Sequence, residues 1–256
     1  MTFYARFIRG LAALAAMLLV AAPLSAQQSN PAASFDPAEE EAIRQIVRDY
    51  LLANPEVLIE SLQTYRQRQE MAGEQSARDA LVAQRDNLET NPGTPVLGNP
   101  DGDVVIVEFF DYRCPYCKRA AGGLHETVID DGNIRLVMKE FPILGPESVT
   151  VARMALASVK QGKYEAFHFA LMSVTGQLDE ATAFKVARKV GLDLDQLRED
   201  MEAPDIEAEI QRNFALAEIL QIRGTPSFVI GDNIIRGLID TPAMRAVVAE
   251  VRNGSS

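Results

Sequence analysis

Apolar residues recur at helical spacing in two short stripes near the start of the chain: Ile43, Ile46, Val47, Tyr50 and Leu51, then Leu58, Leu62 and Tyr65. Asp36-Pro37-Ala38-Glu39 supplies a start signal for the first helix. It offers an N-cap acceptor, a proline where a missing N–H costs nothing, and a glutamate able to reach back. Asn54-Pro55-Glu56 ends that helix and opens the next. From 63 to 89 the chain turns strongly polar, as a solvated or bridging helix does. The two stripes are too short to bury themselves. Either they pack on the chain's own main domain, or they join copies of the chain, with the polar stretch as a stalk.

The pattern changes after two turn-rich stretches, 91–95 and 98–102. Val104-Val105-Ile106-Val107 is a continuous β-branched run, the mark of a strand covered on both faces. Helix-forming Lys118-Arg119-Ala120-Ala121 comes next, then a second strand over 134–141, stopped by Pro142. Helices are expected over 149–161, 164–174, 180–190, 194–201 and 206–220. Short strands at 227–230 and 234–236 flank the turn Gly231-Asp232-Asn233, and a last helix covers 242–252. Strand, helix, strand, helical block, hairpin and helix together predict an α/β fold.

Composition adds where the chain goes. Arg6 and Arg9 precede an apolar run from Leu11 to Ala22, and Leu24-Ser25-Ala26 offers a cleavage site before Gln27. A membrane span needs roughly 20 apolar residues, so residues 1–26 are expected to be a signal peptide. Residues 27–90 then form a helical extension and 91–256 the main domain. The net charge of −11 would become −13 without the two arginines of the signal. No basic run interleaved with aromatics is present, so nucleic acid is not an expected partner.

The candidate chemistry rests on Cys114 and Cys117, the only cysteines in 256 residues. They sit where a strand hands over to a helix N-terminus, whose free N–H groups and dipole stabilise a thiolate. Pro115 fits the first helical turn. A thiol so placed can fall from roughly pKa 8.5 into the range of about 3.5–7.5, and Cys117 one turn on can close a disulfide with it. Only His125 and His168 could join two thiolates, at a spacing that suits no usual zinc site. A two-coordinate Cu(I) dithiolate stays open. Both histidines read as helix-packing residues. Glu108, inside a strand that otherwise reads as buried, is expected to have a raised pKa and to relay a proton for Cys117.

Four stretches carry a resemblance: Glu108 to Cys117 (EFFDYRCPYC), Lys139 to Pro146 (KEFPILGP), Gln161-Gly162-Lys163-Tyr164, and Arg223 to Gly231 (RGTPSFVIG). On these the chain resembles the DsbA-type periplasmic thiol:disulfide oxidoreductases, and within them the ScsC-like group with its N-terminal extension. The resemblance implies a thioredoxin fold with a helical insertion and a periplasmic location. Cys114 would be the nucleophile and Cys117 the resolving thiol. Pro226 would be a cis-proline against the dithiol, with Thr225, Pro115 and Tyr116 at the substrate contact. Glu108 matches the family's buried acid, and Lys139 its partnering lysine in the proton relay. No cofactor beyond the redox-active Cys114–Cys117 disulfide is implied. The implied partners are exported client proteins, a membrane redox partner and further copies of the chain, joined through the N-terminal helices. Strong oxidants of the family carry Pro-His between the cysteines. Pro115-Tyr116 stands here instead, which implies a less oxidising couple. Disulfide isomerisation is favoured; a monomeric disulfide-donating oxidase and a copper-binding tolerance protein are the alternatives.

Overall fold

The computed structural model describes residues 35–254; the expected signal peptide lies outside them. Two compact units divide at Glu60 and Ser61. In the first, helix α1 (Pro37–Ala53) begins as its sequence dictates. The Asp36 carboxylate accepts from the N–H groups of Ala38 and Glu39 at 2.8 and 2.9 Å, and Glu39 accepts from Asp36 N–H at 2.9 Å. No residue of α1 is buried.

Helix α2 (Glu56–Glu89) is continuous over 34 residues and passes into the second unit. A five-stranded sheet follows, built from β1 (Val96–Gly98), β2 (Val104–Phe110), β3 (Ile134–Glu140), β4 (Ser227–Ile230) and β5 (Asn233–Arg236). Its order is β1-β3-β2-β4-β5, with β2 and β3 parallel and the other pairs antiparallel. Helix α3 (Pro115–Asp131) makes the β2-to-β3 crossover and stops at Gly132, whose φ of 70° suits glycine. The helical block comprises α4 (Pro146–Ala157), a 3₁₀ turn (Ser158–Gln161), α5 (Tyr164–Met172), α6 (Glu180–Lys189), α7 (Leu194–Asp200) and α8 (Pro204–Ile219). Helix α9 (Thr241–Gly254) closes the described chain.

The sheet is covered on both faces, which is why β2 reads as unbroken apolar sequence. Ile106, Phe110 and Met138 face one core with α3, α5 and α9. Val107, Phe109 and Val137 face the other, against Leu216 and Leu220 and against Leu81 and Leu88 of α2. The second half of α2 therefore belongs to the main domain's core rather than standing free as a stalk. Cationic side chains from β3 hold its end: Arg135 donates to the Glu89 carbonyl at 2.5 Å and Lys139 to that of Asn87 at 3.5 Å.

Candidate active site

Strand β2 delivers the chain into a tight turn before α3, and Cys114 is the N-cap of that helix. Asp111 fastens the turn. Its carboxylate accepts from Arg113 N–H at 2.8 Å, Ser148 Oγ at 2.9 Å and Leu144 N–H at 3.0 Å, while its carbonyl accepts from Cys114 N–H at 3.0 Å. The turn that carries Cys114 is thus tied to both the helix start and the 144–148 segment.

The two thiols are free and unlike. Cys114 is 4% exposed and Cys117 fully buried. The Cys114 thiol is pulled down to about 5, chiefly by a hydrogen bond from Cys117, then by Thr225 and the N–H groups of Cys117 and Tyr116. Burial, the hydrogen bond to Cys114 and the negative charge of Glu108 push Cys117 far above the usual thiol range. When protonated, Cys114 Sγ donates to the Thr225 carbonyl at 3.3 Å. The Thr225–Pro226 peptide is cis, with Pro226 buried against this corner. Pro115 and Tyr116 are exposed on the first turn of α3, and the Arg119 guanidinium lies 4.5 Å from the Tyr116 ring centre. One ionised sulfur at a helix start beside one protonated, fully buried sulfur is an arrangement that can exchange thiols for disulfides.

Glu108 lies beneath this pair, 1% exposed, with Oε1 making no hydrogen bond. Burial, reinforced by the charge of Cys114, raises its carboxyl to about 8. In the folded protein it keeps a proton that the unfolded chain releases near pH 4.3. Its contribution therefore makes stability fall as pH rises from about 4.5 to 8, by up to about 1.4 kcal/mol per pH unit. Reduced Glu108→Gln is expected to unfold in urea with a flatter pH dependence over that window and to exceed the wild type at pH 8. Parallel curves would contradict this.

Lys139 requires a correction. The parallel register pairs Glu108 with Met138 and Phe109 with Lys139, so Glu108 and Lys139 lie on opposite faces of the sheet. Lys139 donates to Thr94 Oγ1 at 2.8 Å and sits 4.0 Å from Glu209 Oε1. Burial draws its amine down to about 8, against the opposing pull of Glu209. It anchors the end of α2 and is not part of a relay under the dithiol.

A polar cluster that sequence reading missed shares the sheet face of Glu108. Glu140 Oε1 accepts from Tyr112 and Tyr164 hydroxyls at 3.0 Å each, and Tyr112 Oη lies 3.0 Å from His168 Nδ1. Burial pushes the Glu140 carboxyl well above the usual carboxylate range and lowers His168 to about 3, so the imidazole is neutral. His168, read from sequence as packing alone, is one of its hydrogen-bonded members. Among the described residues no group of three or more His, Cys, Asp or Glu is placed to hold a metal ion.

The family model of the DSBA-like thioredoxin domain matches residues 105–249, and that of the copper resistance protein ScsC N-terminal domain matches 39–72. A thioredoxin-like oxidoreductase from Silicibacter pomeroyi DSS-3 is 50% identical, with a TM-score of 0.65 over 66% of this chain and 98% of that one. Proteus mirabilis ScsC in a transitional conformation is 30% identical, with a TM-score of 0.65 over 86% of this chain and 100% of that one. A Na(+)/H(+) antiporter of Salinispora tropica is 28% identical over 155 residues, 60% of this chain. The chain spans about a quarter of the length of the curated antiporters it matches, 24% in that case. With more than half of its residues matched by one family model, and with the dithiol at the head of α3, the chain belongs to the DSBA-like thioredoxin domain family.

Proposed function

We propose that the protein is a thiol:disulfide oxidoreductase of exported proteins, acting as an oligomeric disulfide isomerase in the periplasm. The observation that carries the reading is the asymmetry of the dithiol: an ionised Cys114 at a helix N-terminus, 3.3 Å from the Thr225 carbonyl, and a buried protonated Cys117. The Cys114 thiolate attacks a client disulfide. A bond forms between Cys114 and one client sulfur as the other leaves as a thiolate, to be protonated by solvent. If that thiolate then attacks elsewhere in the client and the chain returns to expel Cys114, the pairing has been rearranged with no net redox change. If Cys117 gives its proton to the fraction of Glu108 that is ionised, a minor one below about pH 8, and attacks the Cys114 sulfur, the client leaves reduced and Cys114–Cys117 closes. A membrane redox partner would then reset the disulfide.

The oligomer is supported by exposed apolar residues of α1 and the start of α2. Ile46, Val47 and Tyr50 of α1 are 50–67% exposed, as are Leu58, Ile59 and Leu62 of α2. Apolar stripes of this kind are interface material. Holding several dithiols in one assembly favours repeated attack on one client. The test is removal of residues 27–60 with α2 kept from Ser61, because a cut at 90 would take Leu81 and Leu88 out of the core. By sedimentation the full chain is expected to be an oligomer and the shortened chain a monomer. An unchanged assembly would remove the structural basis for isomerisation.

A further inference from the structure

A cleft of about 850 Å³ opens between α2 and the loop that carries Pro226. Glu70, Ala72 and Gly73 line the helix side, and Arg223, Thr225 and Arg236 the other. The helix comes close here: a Cβ added at Gly73 would lie 2.9 Å from Gln221 Oε1. The cleft reaches the neighbourhood of the dithiol through Thr225, which lines it and whose carbonyl is 3.3 Å from Cys114 Sγ.

The lining suits one class of occupant. Small-molecule pockets are predominantly apolar with a few polar groups; this one carries charges of both signs. Arg236 is committed to the carbonyls of Leu220 and Gln221, each at 3.4 Å. The side chains of Glu70 and Arg223, exposed on opposite walls, make no hydrogen bond or ion pair among the described residues. From Gln69 to Ser76 the helix wall rises about 10 Å, the reach of about three residues of extended chain.

We propose that α2 is the second wall of the client site. An extended polypeptide segment of the client, joined through its cysteine to Cys114, runs between α2 and the 223–227 loop. The inference rests on the thiol–disulfide reading and adds the α2 wall.

The test uses the full chain with Cys117→Ala and a short peptide whose single cysteine is activated as its thionitrobenzoate disulfide. The Cys114 thiolate displaces thionitrobenzoate anion, forming one sulfur–sulfur bond as another breaks. With p-benzoylphenylalanine in place of Ala72, irradiation is expected to crosslink the trapped peptide to α2. The same group in place of Gln75, on α2 but outside the cleft, is expected not to. With Cys117 retained, Ala72→Trp is expected to raise the KM for a disulfide-bonded peptide by at least about tenfold, equivalent to losing a few good contacts. A trapped peptide that crosslinks from neither position, or equally from both, overturns the proposal, as does an unchanged KM. Failure of the mixed disulfide to form overturns the thiol reading itself, and the cleft proposal with it.

Discussion

Cys114→Ala is expected to reduce disulfide exchange to the uncatalysed background, whereas Cys117→Ala is expected to accumulate enzyme joined to its client. The difference follows from the protonation of the two sulfurs. Cys114, at about 5, is almost wholly ionised at pH 7. Cys117 is fully buried and held far above the ordinary range, so it stays protonated at that pH. Removing Cys114 therefore takes away the ionised thiol and leaves only a buried one. Removing Cys117 leaves the attack intact but deletes the group that expels the client. Non-reducing gels with mass spectrometry of the adducts read both outcomes. Adducts equally abundant in the two variants would contradict the assignment.

The second large effect is in pH. The Cys114 carboxymethylation rate is expected to be flat above about pH 6 and to fall tenfold per unit below about 5. The shape is a better signature than the rate. At pH 6 an ordinary thiol is about 0.3% ionised and Cys114 about 90%, roughly a 300-fold advantage. With a Brønsted slope of about 0.4–0.5, however, each Cys114 thiolate is roughly 40-fold less nucleophilic, so the net gain is only about tenfold. The same low pKa stabilises the reduced state. Because about 5 lies between thioredoxin at about 7 and DsbA at about 3.5, the couple is expected between about −270 and −120 mV. A profile rising up to pH 8.5 would show that the helix start and the Cys117 hydrogen bond do not hold the thiolate.

Much of this was legible in the chain because it is local. The Val104-to-Val107 run, Pro115 after Cys114 and the Asp36-Pro37 start each announce an element whose cause lies within a few residues. The unread parts depend on contacts between distant segments. Strand β1 is three residues among turn signals and exists because Val96, Leu97 and Gly98 pair with β3. In α2, buried Ala77, Leu81 and Leu88 are too sparse for an apolar stripe, so the helix reads as a free stalk until the sheet is laid against it. Lys139 was misplaced for a related reason. A strand covered on both faces shows no alternation, and only the register reveals that Glu108 and Lys139 point apart. Glu140 lies inside the expected second strand, and its partners Tyr112 and Tyr164 lie 28 and 24 residues away.

The most direct measurement is reactivation of scrambled, fully oxidised ribonuclease by the full-length protein, run beside oxidation of the reduced enzyme. The account predicts that the scrambled substrate regains activity, that Cys114→Ala abolishes this, and that removing residues 27–60 weakens it while leaving thiol exchange. Activity on the reduced substrate alone, or reactivation that survives Cys114→Ala, would contradict it.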